Sequence, residues 1–381
     1  MRKYLVVGAA VVAAVFVLVV IVVRLGEKSQ KAQPKLPKYV LGKGVWIQYL
    51  SQCEGGNVDR ILQRAVENQL DYILVKVNDG STWYRWCPKQ KLAEALKKFH
   101  AAGLKILGWG FVYGDDPTEE ANRAIEALRL GCDGYVWDVE GQFSHKRQAA
   151  KILCSRVHKW VQPKRPWKIL GYSTFCRVDK QPDSKIPYDI FGRYCDVVMP
   201  QCYWATFNWN PEHTVFHMFR VWADMQYRWS NSGKADSIKP IIPTGHAYID
   251  TAKTDYISPE EVTRFLQAVE GYYGVNIWRW ELMDKQHWQA LRVGPGGRRE
   301  KAKNFAFVSE PHRSRSPRLL LFAFWLIGCL ATAGWLEYQF AQQIFRKDRL
   351  IQLVLAAVWP LIVGLMLVAW LRQRQPLPPW R

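Results

Sequence analysis

The sequence predicts an α/β protein: a (β/α)8 TIM barrel over residues 44–292, flanked by one N-terminal and two C-terminal transmembrane helices. Three observations carry this. Apolar, β-branched or aromatic runs of strand length alternate eight times with amphipathic stretches of helix length. The alternation fills about 250 residues, the usual length of such a barrel. Three apolar runs long enough to cross a bilayer, at 4–23, 319–336 and 350–371, lie outside it. A doubly wound open sheet shares the alternation and stays open as a second architecture.

From the N-terminus, residues 1–25 read as an anchor, because 4–23 is uncharged and follows Arg2 and Lys3. A cleaved signal peptide is the rival, but it has a shorter apolar core and a small-residue cleavage site, whereas this run ends Val-Ile-Val-Val-Arg. Residues 26–43, with Pro34, Pro37 and a spread of lysines, read as an extended linker. The strands are expected at 44–50, 71–78, 105–113, 134–140, 168–175, 196–204, 239–248 and 274–281. The helices are expected at 58–68, 90–102, 118–130, 145–161, 212–228, 259–272 and 284–292; the connection after the fifth strand is Pro-rich and only loosely helical. Residues 293–318 form a basic linker, 319–371 a helical hairpin and 372–381 a tail. Trp325, Trp335, Trp359 and Trp370 fall in the hairpin runs, several near their ends, where interfacial aromatics gather. A pair of buried core helices would need a large soluble shell that the rest of the chain does not supply.

The 381 residues include 19 Trp, 8 Cys and a net charge of +20. The charge is unevenly placed. Residues 44–292 hold 32 Lys and Arg against 28 Asp and Glu, and the remainder holds 21 against 5. A basic groove for nucleic acid is therefore not expected; the excess lies beside the apolar runs, where it anchors and orients membrane segments. Two crossings put the barrel and the C-terminal tail on the same side, and the positive-inside bias leans towards the cytosol. Arg2 and Lys3 before the first run can instead drive the barrel outward, so its side stays open. Cys53, Cys87, Cys132, Cys154, Cys176, Cys195 and Cys202 show no C-x-x-C pair, which predicts unpaired buried thiols and no metal site.

In a barrel of this class, function belongs at the C-terminal strand ends. Those ends carry Gln48 and Tyr49; Asn78 and Asp79; Trp109, Phe111 and Tyr113; Asp138 and Glu140; Tyr172 and Ser173; Gln201, Tyr203 and Trp204; His246 and Tyr248; and Trp278, Trp280 and Glu281. Rings with a few carboxylates and amides suit a sugar cleft, since rings cover the C–H faces of pyranoses and polar groups take the hydroxyls. Core packing accounts for part of the same set. Asp138 and Glu140 are two apart on one strand and so share a face. Repulsion between two such carboxylates raises the pKa of one, which is what a general acid for glycosidic cleavage requires. A solvated pair or a structural ion pair is the plainer reading.

The run Asp133-Gly134-Tyr135-Val136-Trp137-Asp138-Val139-Glu140 resembles the D-G-x-D-x-D-x-E signature of the family 18 glycoside hydrolases, the chitinases and their relatives. Asp133, Gly134, Asp138 and Glu140 match, and Val136 stands where that family has an aspartate. Met199-Pro200-Gln201-Cys202-Tyr203-Trp204 is similar to its sixth-strand M-x-x-x-Y, and Trp278 to its inward tryptophan on the last strand. The chain also resembles the family 25 lysozymes, through the fourth-strand D-x-E, Lys76-Val77-Asn78-Asp79-Gly80 and Ile277-Trp278-Arg279-Trp280; its first strand reads Gly44-Val45-Trp46, without their aspartate. The resemblance implies a retaining, substrate-assisted hydrolase needing no metal and no cofactor. Glu140 would be the acid, Asp138 with Tyr203 would hold the substrate's acetamido group, and Trp278 would floor the subsite. Trp109, Gln201, Asp133 and Trp204 join them as candidate substrate-binding residues. A conventional pair of Glu140 with Asp79, Asp115, Asp116 or Glu281 is the fallback.

The expected partners are a glycan, peptidoglycan or chitin-like, and the membrane, with no nucleic acid. A protein partner of the C-terminal hairpin is left open; Gly328, Ala331, Ala333 and Gly334 suit helix packing. Two other functions stay open: a catalytically silent barrel that binds a glycan or protein at the membrane, and a barrel enzyme using His246 as acid or base.

Overall fold

The run Tyr72–Asp79 is buried along its whole length up to Asp79. A β-branched and aliphatic segment hidden on both faces belongs in a parallel sheet covered by helices. The computed structural model, which describes residues 36–164, 168–179, 185–250 and 255–294, builds eight such units. The strands are β1 (Lys43–Ile47), β2 (Tyr72–Asp79), β3 (Lys105–Phe111), β4 (Gly134–Asp138), β5 (Ile169–Phe175), β6 (Val197–Gln201), β7 (Thr244–His246) and β8 (Val275–Trp278). Each is followed by one helix: α1 (Val58–Glu67), α2 (Lys89–Ala101), α3 (Pro117–Leu130), α4 (Arg147–Val161), α5 (Tyr188–Tyr194), α6 (Pro211–Asn231), α7 (Pro259–Ala268) and α8 (Lys285–Val293).

The sheet closes on itself. β1 pairs in parallel with β8 on one side and β2 on the other, Val45 lying opposite both Ile277 and Ile73. This is the eight-stranded parallel barrel, with no open sheet edge between first and last strand. A two-residue strand, Thr82–Trp83, adds antiparallel to the C-terminal end of β2.

Two apolar layers follow from strand alternation. Inside the barrel lie Trp46, Leu74, Trp109, Val136 and Met199; between strands and helices lies a larger layer that includes Tyr135, Trp137, Trp204 and Phe265. Glycine is required where strands crowd. A Cβ at Gly110 of β3 would come within 2.3 Å of Asn78 Oδ1 and of the Tyr135 hydroxyl. Helices begin on caps just past the mouth: Asn57 accepts from Arg60 N, Asp116 from Glu119 N, and Ser258 forms a capping box with Glu261.

All eight expected strands form, several of them shorter than expected. The segment 239–248 shrinks to Thr244–His246, with one bridge between Ile241 and Val198, because Pro240 and Pro243 lack the N–H that a ladder needs. The 196–204 segment leaves the sheet after Gln201. The loosely helical fifth connection resolves into the seven-residue α5. The seven barrel cysteines are buried free thiols. The expected anchor at 1–25, the linker up to residue 35, the basic stretch from 295 and the hairpin and tail at 319–381 lie outside the described residues. Among the described residues, no helix is long and apolar enough to cross a membrane.

Candidate functional site

The inward face of β4 buries Val136 in the barrel and presents Asp138 next, at the mouth. Glu140 follows at the start of the 3-10 turn Gly141–Phe143, half-buried. Gln201, the last residue of β6, joins them. Its Nε2 donates to Asp138 Oδ1 and Glu140 Oε1 at 3.0 Å each, and lies 3.4 Å from Ser173 Oγ of β5. Two oxygens so close to one nitrogen are nearer each other than the roughly 6.5–9.5 Å that inverting glycosidases leave for a water.

Burial pushes the Asp138 carboxyl well above the ordinary carboxylate range, and the charge of Glu140 adds to it; Lys76, Gln201 and Ser173 pull the other way. The pair therefore holds a proton at pH values where two isolated carboxyls would have lost both. Lys76 lies on the inward face of β2, its Nζ 3.2 Å from Asp79 Oδ2, 4.5 Å from the Tyr84 ring centre and 5.2 Å from that of Trp109. The Tyr113 hydroxyl donates to Asp79 Oδ1 at 3.0 Å.

Tyr203 lies just past β6, half-buried, its ring stacked on that of His246 at 5.2 Å. Burial raises the Tyr203 phenol, with Asp138 and Glu140 adding to the shift, so it stays a neutral O–H donor. Trp278 ends β8 at the mouth. Its ring meets those of Trp46 and Trp109 edge-on at 6.2 and 5.7 Å, and those two rings meet at 5.3 Å. Trp46 and Trp109 are buried, and Trp109 donates from Nε1 to Ile47 O at 3.1 Å. Trp109 thus braces Trp278 from below, and Trp278 is the ring left at the surface of the cleft. The Trp278–Arg279 peptide is cis.

Two of the expected substrate-binding residues lie elsewhere. Asp133 precedes β4 at the opposite end of the barrel, where its carboxylate takes Ile106 N at 3.0 Å, His100 Nε2 at 2.7 Å and Lys105 Nζ at 3.2 Å. Trp204 turns outward into the helical layer, donating to Glu261 Oε1 of α7 at 3.1 Å and packing on Phe265. Asp138, Glu140, Gln201, Tyr203 and Trp278 share the mouth.

Of the fallback carboxylates, Asp79 stays at the mouth, held by Lys76 and Tyr113, and the other three are engaged by their own partners. Asp115 pairs with Lys146, Asp116 caps α3, and Glu281 Oε1 accepts from Gln48 N at 2.7 Å and Tyr49 N at 2.6 Å. His246 is fully buried, neither ring nitrogen has a hydrogen-bond partner, and burial lowers its pKa to about 3. It is a neutral ring behind Tyr203. Lys76, present in the sequence only as the first residue of the Lys76–Gly80 motif, is a charged neighbour of the pair; a lysine in register with inward Tyr72 and Leu74 is the signal that marks it.

No protein-family model and no curated protein matches the sequence. Solved structures do. The chain is similar to active domain 2 of a chitinase from Pyrococcus furiosus, at 13% identity over 65% of this chain and 85% of that one, TM-score 0.49. It is similar to the spore cortex-lytic enzyme SleL of Bacillus cereus at 12% identity, covering 66% and 74%, TM-score 0.48. A chitinase from Chromobacterium violaceum matches at 12% identity, covering 65% and 97%, TM-score 0.46.

Proposed function

We propose that the barrel is a membrane-anchored glycoside hydrolase that cleaves an N-acetylhexosamine glycan, peptidoglycan or chitin-like, with retention and by substrate assistance. The observation that supports this reading is the Asp138–Glu140 pair bridged by one Gln201 amide at the barrel mouth. Glu140, the more exposed of the two, is assigned the general acid that protonates the leaving oxygen. Trp278 carries the sugar face, and the acetamido oxygen attacks the anomeric carbon. Asp138 and the Tyr203 hydroxyl orient that acetamido group.

The charge state of the pair fits the sequence of steps. In the free site burial favours the proton on Asp138. An acetamido N–H donating to Asp138 favours its ionised form, and Glu140 as general acid gives its proton to the leaving oxygen. The uncharged runs at 4–23, 319–336 and 350–371 support the membrane setting.

Full-length protein in detergent is assayed on fluorogenic N-acetylglucosaminides, chitin oligomers and peptidoglycan beside its Glu140→Gln variant. The expected loss in kcat/KM is roughly 10²- to 10⁴-fold, the usual weight of a general acid. Matched glucosides lacking the N-acetyl group are expected to resist cleavage. Glycan binding shared by both proteins, with turnover by neither, would replace this reading by that of a binding barrel, which Val136, an apolar residue buried directly beneath Asp138, favours.

A further inference from the structure

Arg279 stands at the mouth with its donors unspent. It follows Trp278, its side chain only 19% exposed, and its guanidinium carbon lies 5.5 Å from the ring centre of Tyr49 and 5.6 Å from that of Trp278. Guanidinium groups carry five N–H donors in a rigid fork. Among the described residues, none of the hydrogen bonds has Arg279 as its donor, and Nε is buried without a partner. Its ion-pair neighbour, Glu281 Oε2, is 3.9 Å away, too far for a hydrogen bond, and the other oxygen of Glu281 is taken by the Gln48 and Tyr49 amides.

The surroundings hold this cation in place, with Glu281 Oε2, also buried without a hydrogen bond, as its counter-charge, and leave Nε without an acceptor. Tyr49 stacks on Tyr84 at 6.1 Å and meets Trp86 edge-on at 6.0 Å. The exposed Arg85 lies over Trp86 at 4.9 Å, a second cation on the same wall. Gln48 Oε1, at the end of the neighbouring strand, is also buried without a partner. A buried guanidinium Nε and a buried amide oxygen, each without a partner just past the ends of neighbouring strands, are costly unless something in the cleft fills them. What fits is an anion with a hydroxyl or N–H beside it.

We propose that Arg279 binds a carboxylate carried by the sugar on Trp278 or by its neighbour, so that the substrate is an acidic N-acetylhexosamine glycan and not neutral chitin. This rests on the reading of the mouth as a glycan-cleaving site. The planar fork takes both carboxylate oxygens, and the Tyr49 and Trp278 faces fix its plane. Two sources offer this chemistry: a lactyl ether on the N-acetylhexosamine itself, or an adjoining uronic acid.

Full-length protein in detergent is given four probes: chitotetraose, an alternating N-acetylglucosamine–N-acetylmuramic acid oligomer, the methyl ester of that oligomer, and a hyaluronan tetrasaccharide. The free acid is expected to exceed its ester in kcat/KM by at least about tenfold, the weight of a charged hydrogen bond. Arg279→Gln brings that ratio near one, and Arg279→Lys, which keeps the charge but loses the fork, falls between. Whichever acid is used identifies the source of the carboxylate. Equal use of acid and ester, or a ratio that Arg279→Gln leaves alone, overturns the proposal. If chitotetraose is cleaved in a Glu140-dependent way while that ratio is one, the hydrolase stands and only this inference falls. If nothing is cleaved, the same ratio is read in Kd by calorimetry: an Arg279-dependent preference for the acid supports the inference, and its absence ends it.

Discussion

At Asp138 burial and a neighbouring carboxylate act together, so its folded-state pKa lies above the unfolded value, which is about 3.9. Between the two values the folded protein binds more protons than the unfolded chain, and stability falls as pH rises through that window. Asp138→Asn is therefore expected to melt higher than the parent at about pH 8 and to lose that advantage near pH 3, below both values; a lower melting point at the higher pH would contradict it. Lys76 pulls the pair's proton off, so Lys76→Met is expected to move the alkaline limb of kcat/KM to higher pH, read in a pH–rate profile. His246 has the opposite sign. Its pKa falls to about 3 in the fold, so the unfolded chain binds more protons below about pH 6.5, and stability drops by up to about 1.4 kcal/mol per pH unit on acidification. His246→Phe is expected to flatten that acid limb in denaturant titrations, and an unchanged limb would show that the His246 ring titrates alike in the folded and unfolded chain. The carboxyl pair was legible in the sequence because two residues on a strand share a face. Gln201 stood among the strand-end residues, but its bridging role depends on β4 and β6 facing each other across β5, which only closure of the barrel settles. Arg279 was visible only as part of a motif, since its unspent donors depend on where Glu281 turns.

Strand β4 does different work at its two ends. At the mouth it presents Asp138; at the other end Asp133 ties the start of β4 to β3 through Ile106 N and Lys105 and to α2 through His100. Five residues at about 3.3 Å each separate the two by roughly 16 Å, a length already implicit in the motif that the resemblance placed whole in the site. Asp133→Ala is expected to cost about 1–3 kcal/mol of stability, as a charged hydrogen-bond acceptor does, with its effect seen in the melting temperature and not in the pH–rate profile. Trp204 shows the complementary limit. Once the chain leaves β6 at Gln201, strand parity no longer tells inward from outward, and the indole follows Glu261 and Phe265 of α7. The helices were easier to place because their caps are local: Asn57, Asp116, Asn210, Ser258 and Asp284 each bond an amide within their own first turn.

For the whole chain, the apolar runs at 4–23, 319–336 and 350–371 lead to the expectation that the protein sediments with membranes and resists extraction by alkaline carbonate. Recovery in the carbonate supernatant would remove the anchoring from the proposed function and leave the chemistry of the mouth intact. Barrel closure has a consequence of its own. Val275 N bonds to Gly42 O at 3.1 Å, and Lys43 Nζ reaches the carbonyls of Leu291 and Arg292 at 2.8 and 3.2 Å. The segment leading into β1 and the one leaving α8 therefore meet at one spot, opposite the mouth. A ring whose ends touch has no privileged first strand. Circularly permuted chains, joined there by a short linker and reopened between α4 and β5, are expected to rebuild the same cleft, so the order in which a polymerase meets these eight units is an accident of the gene rather than a requirement of the site.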